Sequence, residues 1–174
     1  MENTLPRREA RENAFLLAFS QTFGDIPLAE AIASHEENDN EHPVDGFSKH
    51  LLNAYYDHSA EVDDEIRAHL HNWTMERLPR VSLTVLRLAV AEMLFGGENK
   101  PGVAINEAVE LAKGFGGEDD SPRFVNGVLG RIARSMEGDG AGAVGVAGAD
   151  AAAAGPVDAL VGASGAAACV QVGV

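Results

Sequence analysis

The chain has 174 residues, 45% hydrophobic and 23% charged, enough for one compact domain or two small helical halves sharing a core, and too few for an added catalytic domain. Its net charge of -14 disfavours nucleic acid on global electrostatics, but acidic groups on a remote face are screened beyond about 8 Å, so a local arginine cluster remains usable. One cysteine, Cys169, leaves no disulfide framework or cysteine zinc site and fits a reducing cytoplasm; the N-terminus lacks the apolar run of a signal peptide, and no stretch reaches the roughly twenty apolar residues of a membrane span.

Helical periodicity begins at once. Ala10, Ala14, Leu17 and Ala18 share a face that Phe15 and Phe19 widen, and Gly24 closes the segment. A shorter helix is expected from Pro27 to about Glu36, running into a polar loop at residues 36–41. From Pro43 to Asp57, Phe47, Leu51, Ala54 and Tyr55 form the next apolar stripe. Val62, Ile66, Leu70 and Trp73 follow, after an acidic first turn at Glu61, Asp63 and Asp64. Tyr55 and Trp73 read as core residues.

Beyond Pro79 a helix from Ser82, its expected N-cap, to Phe95 turns Leu83, Leu86, Val90, Met93 and Leu94 inward, and Gly96-Gly97 ends it. Another helix runs from about Val103 to Lys113, stopped by the glycines from Gly114 to Gly117. The last starts at Asp120-Ser121-Pro122 and buries Val125, Val128, Leu129, Ile132, Ala133 and Met136. No alternating strand precedes residue 138, so residues 1–137 are expected to form an all-α domain. Residues 138–174, rich in Gly and Ala and without Lys or Arg, read as a low-complexity, disordered tail.

Arg7, Arg8 and Arg11 are the group best suited to a phosphate backbone. Arg7 and Arg11, four apart, share a helix face, so three guanidiniums are expected to be offered together; an ordinary solvated chain end is the alternative. His69 and His71 are two apart and diverge around a helix, and His35, His42, His50 and His58 are scattered, so no metal site is expected. Nucleophile–base pairs, phosphate-cradling loops and dinucleotide fingerprints are all missing. Gly96-Gly97 and the glycines from Gly114 to Gly117 follow helices rather than strands, so no cofactor or enzymatic activity is expected.

Residues 103–116, VAINEAVELAKGFG, followed by SPRFVNGVL from Ser121 to Leu129, resemble the NusB family of transcription antitermination factors. Trp73 with Arg77-Leu78, the stretch Leu86 to Met93, and the arginines before Ala10-Arg11-Glu12 extend the resemblance over about residues 7–136. It implies an all-helical fold of two small subdomains that binds the boxA element of ribosomal RNA leader transcripts together with ribosomal protein S10, within an RNA polymerase antitermination complex that reads through terminators. Arg7, Arg8 and Arg11 match its RNA surface, with Glu9 at a position often basic. Asp120, Ser121 and Phe124 lie at matching positions nearby.

Phe124 is suited to stack on an unpaired base or to cap the core, and Asn126 to hydrogen-bond a base edge. For Asn126-Gly127 a structural role is preferred, the glycine permitting close packing and the asparagine satisfying buried backbone. Arg87 and Glu92, expected on the polar side of the central helix, match the family's partner-docking face or form a solvated one. A homodimer stands as an alternative state. Two other functions compete: a helical interaction scaffold without RNA binding, and, less favoured, a detached NusB-like module of a ribosomal RNA methyltransferase.

Overall fold

The computed structural model describes residues 4–24, 26–38, 41–97, 100–117 and 121–139. The expected tail from residue 140 onward lies outside these, as does Asp120. The described residues form seven α-helices: α1 (Arg7–Gln21), α2 (Leu28–Asn38), α3 (Gly46–Asp57), α4 (Ser59–His69), α5 (Arg80–Phe95), α6 (Pro101–Phe115) and α7 (Ser121–Asp139), with one 3-10 turn at Met75–Arg77. No strand occurs among the described residues, as an all-α domain requires.

Helix α5 is the hub because it is apolar almost all round, burying Val85, Leu86, Leu88, Ala89, Val90, Ala91 and Met93. Helices α1 and α3 pack on one part of it and α4, α6 and α7 on another, and one hydrophobic cluster runs through both halves. Phe15, Leu52, Ile66, Leu86, Leu129 and Ile132 are its largest fully buried side chains. Alanines carry the close approaches: Ala104, Ala108 and Ala112 let α6 lie against its neighbours.

Three local expectations are corrected. Ser82 does not cap α5, which starts two residues earlier behind Pro79; Ser82 is buried and shares a hydrogen bond of 3.0 Å with the hydroxyl of Ser121. Helix α4 stops at His69: Leu70 is already extended, with ψ 122°, and Asn72 then takes a positive φ of 59°, a left-handed conformation that asparagine tolerates. The chain after it therefore leaves the helical path and carries Trp73 out to 46% exposure instead of into the core. Helix α3 begins later than Pro43, where the Asp45 carboxylate accepts hydrogen bonds from the Ser48 amide (2.8 Å) and hydroxyl (3.0 Å) and from the Leu5 amide (3.1 Å).

Candidate nucleic-acid interface

The three arginines of α1 part company in the fold. Arg7 and Arg8, in the first turn, are exposed, whereas Arg11, one turn further on, enters the seam between α1, α5 and α6 and is only 5% exposed. There it meets Glu92 of α5, itself 3% exposed. The Arg11 Nε donates to Glu92 Oε2 at 2.9 Å and its Nη2 to Oε1 at 2.5 Å, the two-pronged geometry that a planar guanidinium and a carboxylate favour. Burial opposes the charged form of Arg11, but the hydrogen bonds and charge of Glu92, with Glu107 behind, outweigh it and hold the guanidinium above its ordinary pKa.

Two expectations are thereby corrected. Arg11 does not stand beside Arg7 and Arg8 as a third free cation, because its helix face has turned inward by the second turn. Glu92 does not lie on a polar side of α5, because that side is covered by α1. The Nη1 of Arg11 also donates to the Arg7 carbonyl at 3.2 Å, so the buried pair fixes the turn that presents the two outer arginines.

Arg7 lies over the ring of Phe47 from α3, 4.2 Å from its centroid. Arg8 reaches Glu110 of α6 at 3.4 Å with its side chain 67% exposed, and Lys113 meets the same carboxylate at 2.7 Å. Glu110 is held below its usual pKa, first by the hydrogen bond and charge of Lys113 and then by Arg8. Exposed pairs of this kind contribute little stability, so both cations can exchange a carboxylate for a phosphate at small cost.

Next to this cluster runs a chain of aromatic rings that the sequence pattern had assigned only to the apolar face of α1, or left unremarked. Phe115, at the end of α6, packs against Phe15 at 4.8 Å between centroids; Phe15 meets Phe19 at 5.8 Å, and Phe19 meets Phe23 edge-on at 5.3 Å. Phe15 is buried, but Phe23 is 66% exposed and Phe115 36%. Arg80, at the start of α5, lies over Phe23 at 4.6 Å. Cations thus stand at both ends of an aromatic strip along α1, an arrangement suited to a strand with charged backbone and flat bases. The signal available in the sequence was the spacing of Phe15, Phe19 and Phe23, which continues the helical repeat past the last buried turn of α1.

The remaining candidates fall as follows. Ser121 is buried and bonded to Ser82, so its hydroxyl is not presented to a ligand. Phe124 is half-buried, resting against the core with its ring edge-on to Trp73 at 5.9 Å. Asn126 is exposed, and a Cβ at Gly127 would meet only the Nη1 of Arg131, at 3.8 Å. The expected structural role of Asn126-Gly127 is therefore corrected, since neither residue serves a close helix contact. Arg87 is not on a solvated face either: its Nε and Nη2 donate to the two carboxylate oxygens of Asp63, each at 2.8 Å, beside Tyr55. Burial opposes its charge, but Asp63 and the tyrosines keep its pKa raised.

Comparison with known proteins adds to this geometry. A model of the NusB family matches residues 8–134. The transcription antitermination protein NusB of Bacillus subtilis (strain 168) is 38% identical over 133 residues, covering 76% of this chain and 98% of that protein. That of Solibacter usitatus (strain Ellin6076) is 41% identical over 133 residues, covering 75% and 90%. Among solved structures, T. maritima NusB aligns with a TM-score of 0.65 at 33% identity, covering 75% of this chain and 92% of that one. A chain from the crystal structure of antitermination factors NusB and NusE in complex with dsRNA aligns with a TM-score of 0.63 at 29% identity, covering 74% and 96%.

Proposed function

The chain belongs to the NusB family, and from that premise we propose that it is a non-enzymatic transcription antitermination factor that binds boxA-like single-stranded RNA of ribosomal RNA leaders together with ribosomal protein S10. The observation that carries the RNA assignment is the α1–α6 seam, where Arg7, Arg8 and Lys113 stand at one end of the strip made by Phe115, Phe19 and Phe23, and Arg80 stands at the other. In this scheme the cations take phosphates and set the strand's position, while Phe23, Phe115 and Phe124 take base faces. Asn126, exposed on α7, supplies a hydrogen-bonding group for a base edge; Asp120 is kept as a contact on the family resemblance alone, and Ser121 opens α7 with its hydroxyl turned to Ser82.

Arg11 and Glu92 act behind the surface, as the buried pair that fixes the first turn of α1. A protein partner is supported by the solved complex of a NusB with a NusE and RNA, and by a chain whose 27 acidic residues against 13 Lys and Arg call for added basic surface to hold RNA firmly. Arg87, locked to Asp63, would meet such a partner as part of a rigid ion pair rather than as a mobile charge.

The test is the salt dependence of RNA binding. Replacing Arg7 and Arg8 together by Ala is expected to lower affinity and to reduce the slope of log K against log salt by about 1.4, at roughly 0.7 per phosphate on a single strand. An unchanged slope removes both arginines from the RNA surface.

A further inference from the structure

Glu110 divides its two carboxylate oxygens between cations of two different helices. Oε1 accepts from the Lys113 ammonium on its own α6 at 2.7 Å, and Oε2 accepts from Nη2 of Arg8 at 3.4 Å, across the seam on α1 and 102 positions away in sequence. Other surface ion pairs, Glu36 with Lys49 and Asp64 with Arg67, are one to one. Glu110 is half-buried, whereas both of its cations stand exposed. Its lowered pKa, set by Lys113 first and Arg8 second, keeps it ionised at neutral pH.

A backbone phosphate offers the same chemistry, one negative charge shared by two oxygens. Glu110 therefore presents to Arg8 and Lys113 what an RNA strand would present, and leaves the trio with one net positive charge instead of two. The fold has little need of this bridge, because exposed ion pairs contribute little stability, and α1 and α6 are already joined by Phe15 against Phe115. Phe115 lies five residues beyond Glu110, about 7.5 Å along the helix axis, so a phosphate taking the place of the carboxylate sets its neighbouring base beside an exposed ring. Phosphates are alike in every sequence, whereas base faces and edges are not. A resident anion on the phosphate-binding cations therefore weakens the contact that any RNA could make and leaves base contacts and the partner to supply the rest.

We infer that Glu110 is a specificity-determining residue of the RNA surface: its carboxylate stands in for a backbone phosphate on Arg8 and Lys113 and holds sequence-independent binding down until a matching strand displaces it. The inference rests on the RNA-binding function proposed above and assigns the regulation of that same surface.

The test is a salt series of titrations with boxA-like single-stranded RNA and with a scrambled RNA of the same length, each in the presence of S10. The full chain is compared with E110Q, with D64N, which opens an exposed pair on α4 away from the seam, and with E110Q built into R8A/K113A. Removing one anion from the contact should steepen the slope of log K against log salt by about 0.7, which amounts to about fourfold tighter binding at about 0.15 M salt. E110Q should show that gain on both RNAs, so that the scrambled RNA is held measurably more firmly than by the wild type. D64N should bind as the wild type does. In the R8A/K113A background E110Q should gain nothing, because the cations it frees are absent.

Binding by E110Q that is unchanged or weaker, or tighter without a steeper slope, would overturn the inference and make Glu110 a positioning residue for Arg8 and Lys113. An equal gain in D64N, or a gain that persists without Arg8 and Lys113, would trace the effect to net charge alone and overturn it as well. A wild-type chain that binds neither RNA with S10 would overturn the functional proposal and this inference with it, an outcome distinct from normal wild-type binding without a gain in E110Q.

Discussion

Removing one member of the Arg11–Glu92 pair should be the most damaging single change on the polar side of this core. The two side chains are 5% and 3% exposed as residues and are joined by charge-assisted hydrogen bonds at 2.5 and 2.9 Å, so Arg11→Met leaves a carboxylate, and Glu92→Met a guanidinium, stranded between α1, α5 and α6. Orphaning one partner of a buried pair costs about 3–5 kcal/mol, while replacing both by apolar residues of similar volume is close to neutral. For a domain of this size each kcal/mol moves the midpoint of thermal unfolding by about 4 °C, so either single variant should melt roughly 12–20 °C lower. The double variant R11M/E92M should recover most of that loss. Urea unfolding of all four proteins completes the cycle, and the coupling energy should exceed about 2 kcal/mol. Single variants that each lose under about 1 kcal/mol, and add without coupling, would refute the view that the pair is dry and mutually dependent.

Asp45 should govern part of the acid limb of stability. Burial opposes its charge, but the Ser48 and Leu5 donors and the charge of Arg7 outweigh it and lower its pKa, so its stabilisation is present above the ordinary carboxylate value near pH 4 and is lost as pH falls through the lower folded value. Asp45→Ala should cost about 1 kcal/mol at pH 7 through the lost cap, and melting curves between pH 2 and 6 should show a shallower acid dependence than the wild type. Gly127→Ala should stabilise the protein by up to about 1 kcal/mol, since it lies inside α7 and a Cβ meets only Arg131 at ordinary contact distance; a lower unfolding midpoint would show a packing constraint. Phe115→Ala should weaken RNA binding by about 1–3 kcal/mol while leaving the salt slope unchanged, which separates stacking from phosphate contact in the same titration.

Much of the fold was legible because helical periodicity and the turn residues agree. Ala10, Ala14, Leu17 and Ala18 do line the buried face of α1, and Val125, Val128, Leu129 and Ile132 that of α7. Helix starts were read less well. Helix α5 starts behind Pro79 without any side-chain cap, and a serine two residues inside a helix looks the same in sequence whether it caps or pairs with another buried hydroxyl.

The site was legible only in outline. Arg7 and Arg11 share a helix face by spacing, but which part of that face is covered depends on α5 and α6, more than 80 residues away in sequence for the Glu92 contact. The exposure of Phe23, Phe115 and Trp73 was hidden for a related reason. Apolar spacing says which residues want burial and not whether a neighbouring element arrives to bury them, and the chain that leaves α4 at the extended Leu70 and passes through the left-handed Asn72 carries Trp73 outward.

The central claim, that this chain is an RNA-binding adaptor working with a protein partner, is met most directly by one titration. Labelled boxA-like single-stranded RNA is followed by fluorescence anisotropy at fixed salt, with the chain alone and with purified ribosomal protein S10. Weak binding by the chain alone, tightened by S10 and lost on scrambling the RNA sequence, is the predicted result. Absence of binding with and without S10 would contradict the account and leave the exposed rings Phe23 and Phe115 without the role assigned to them.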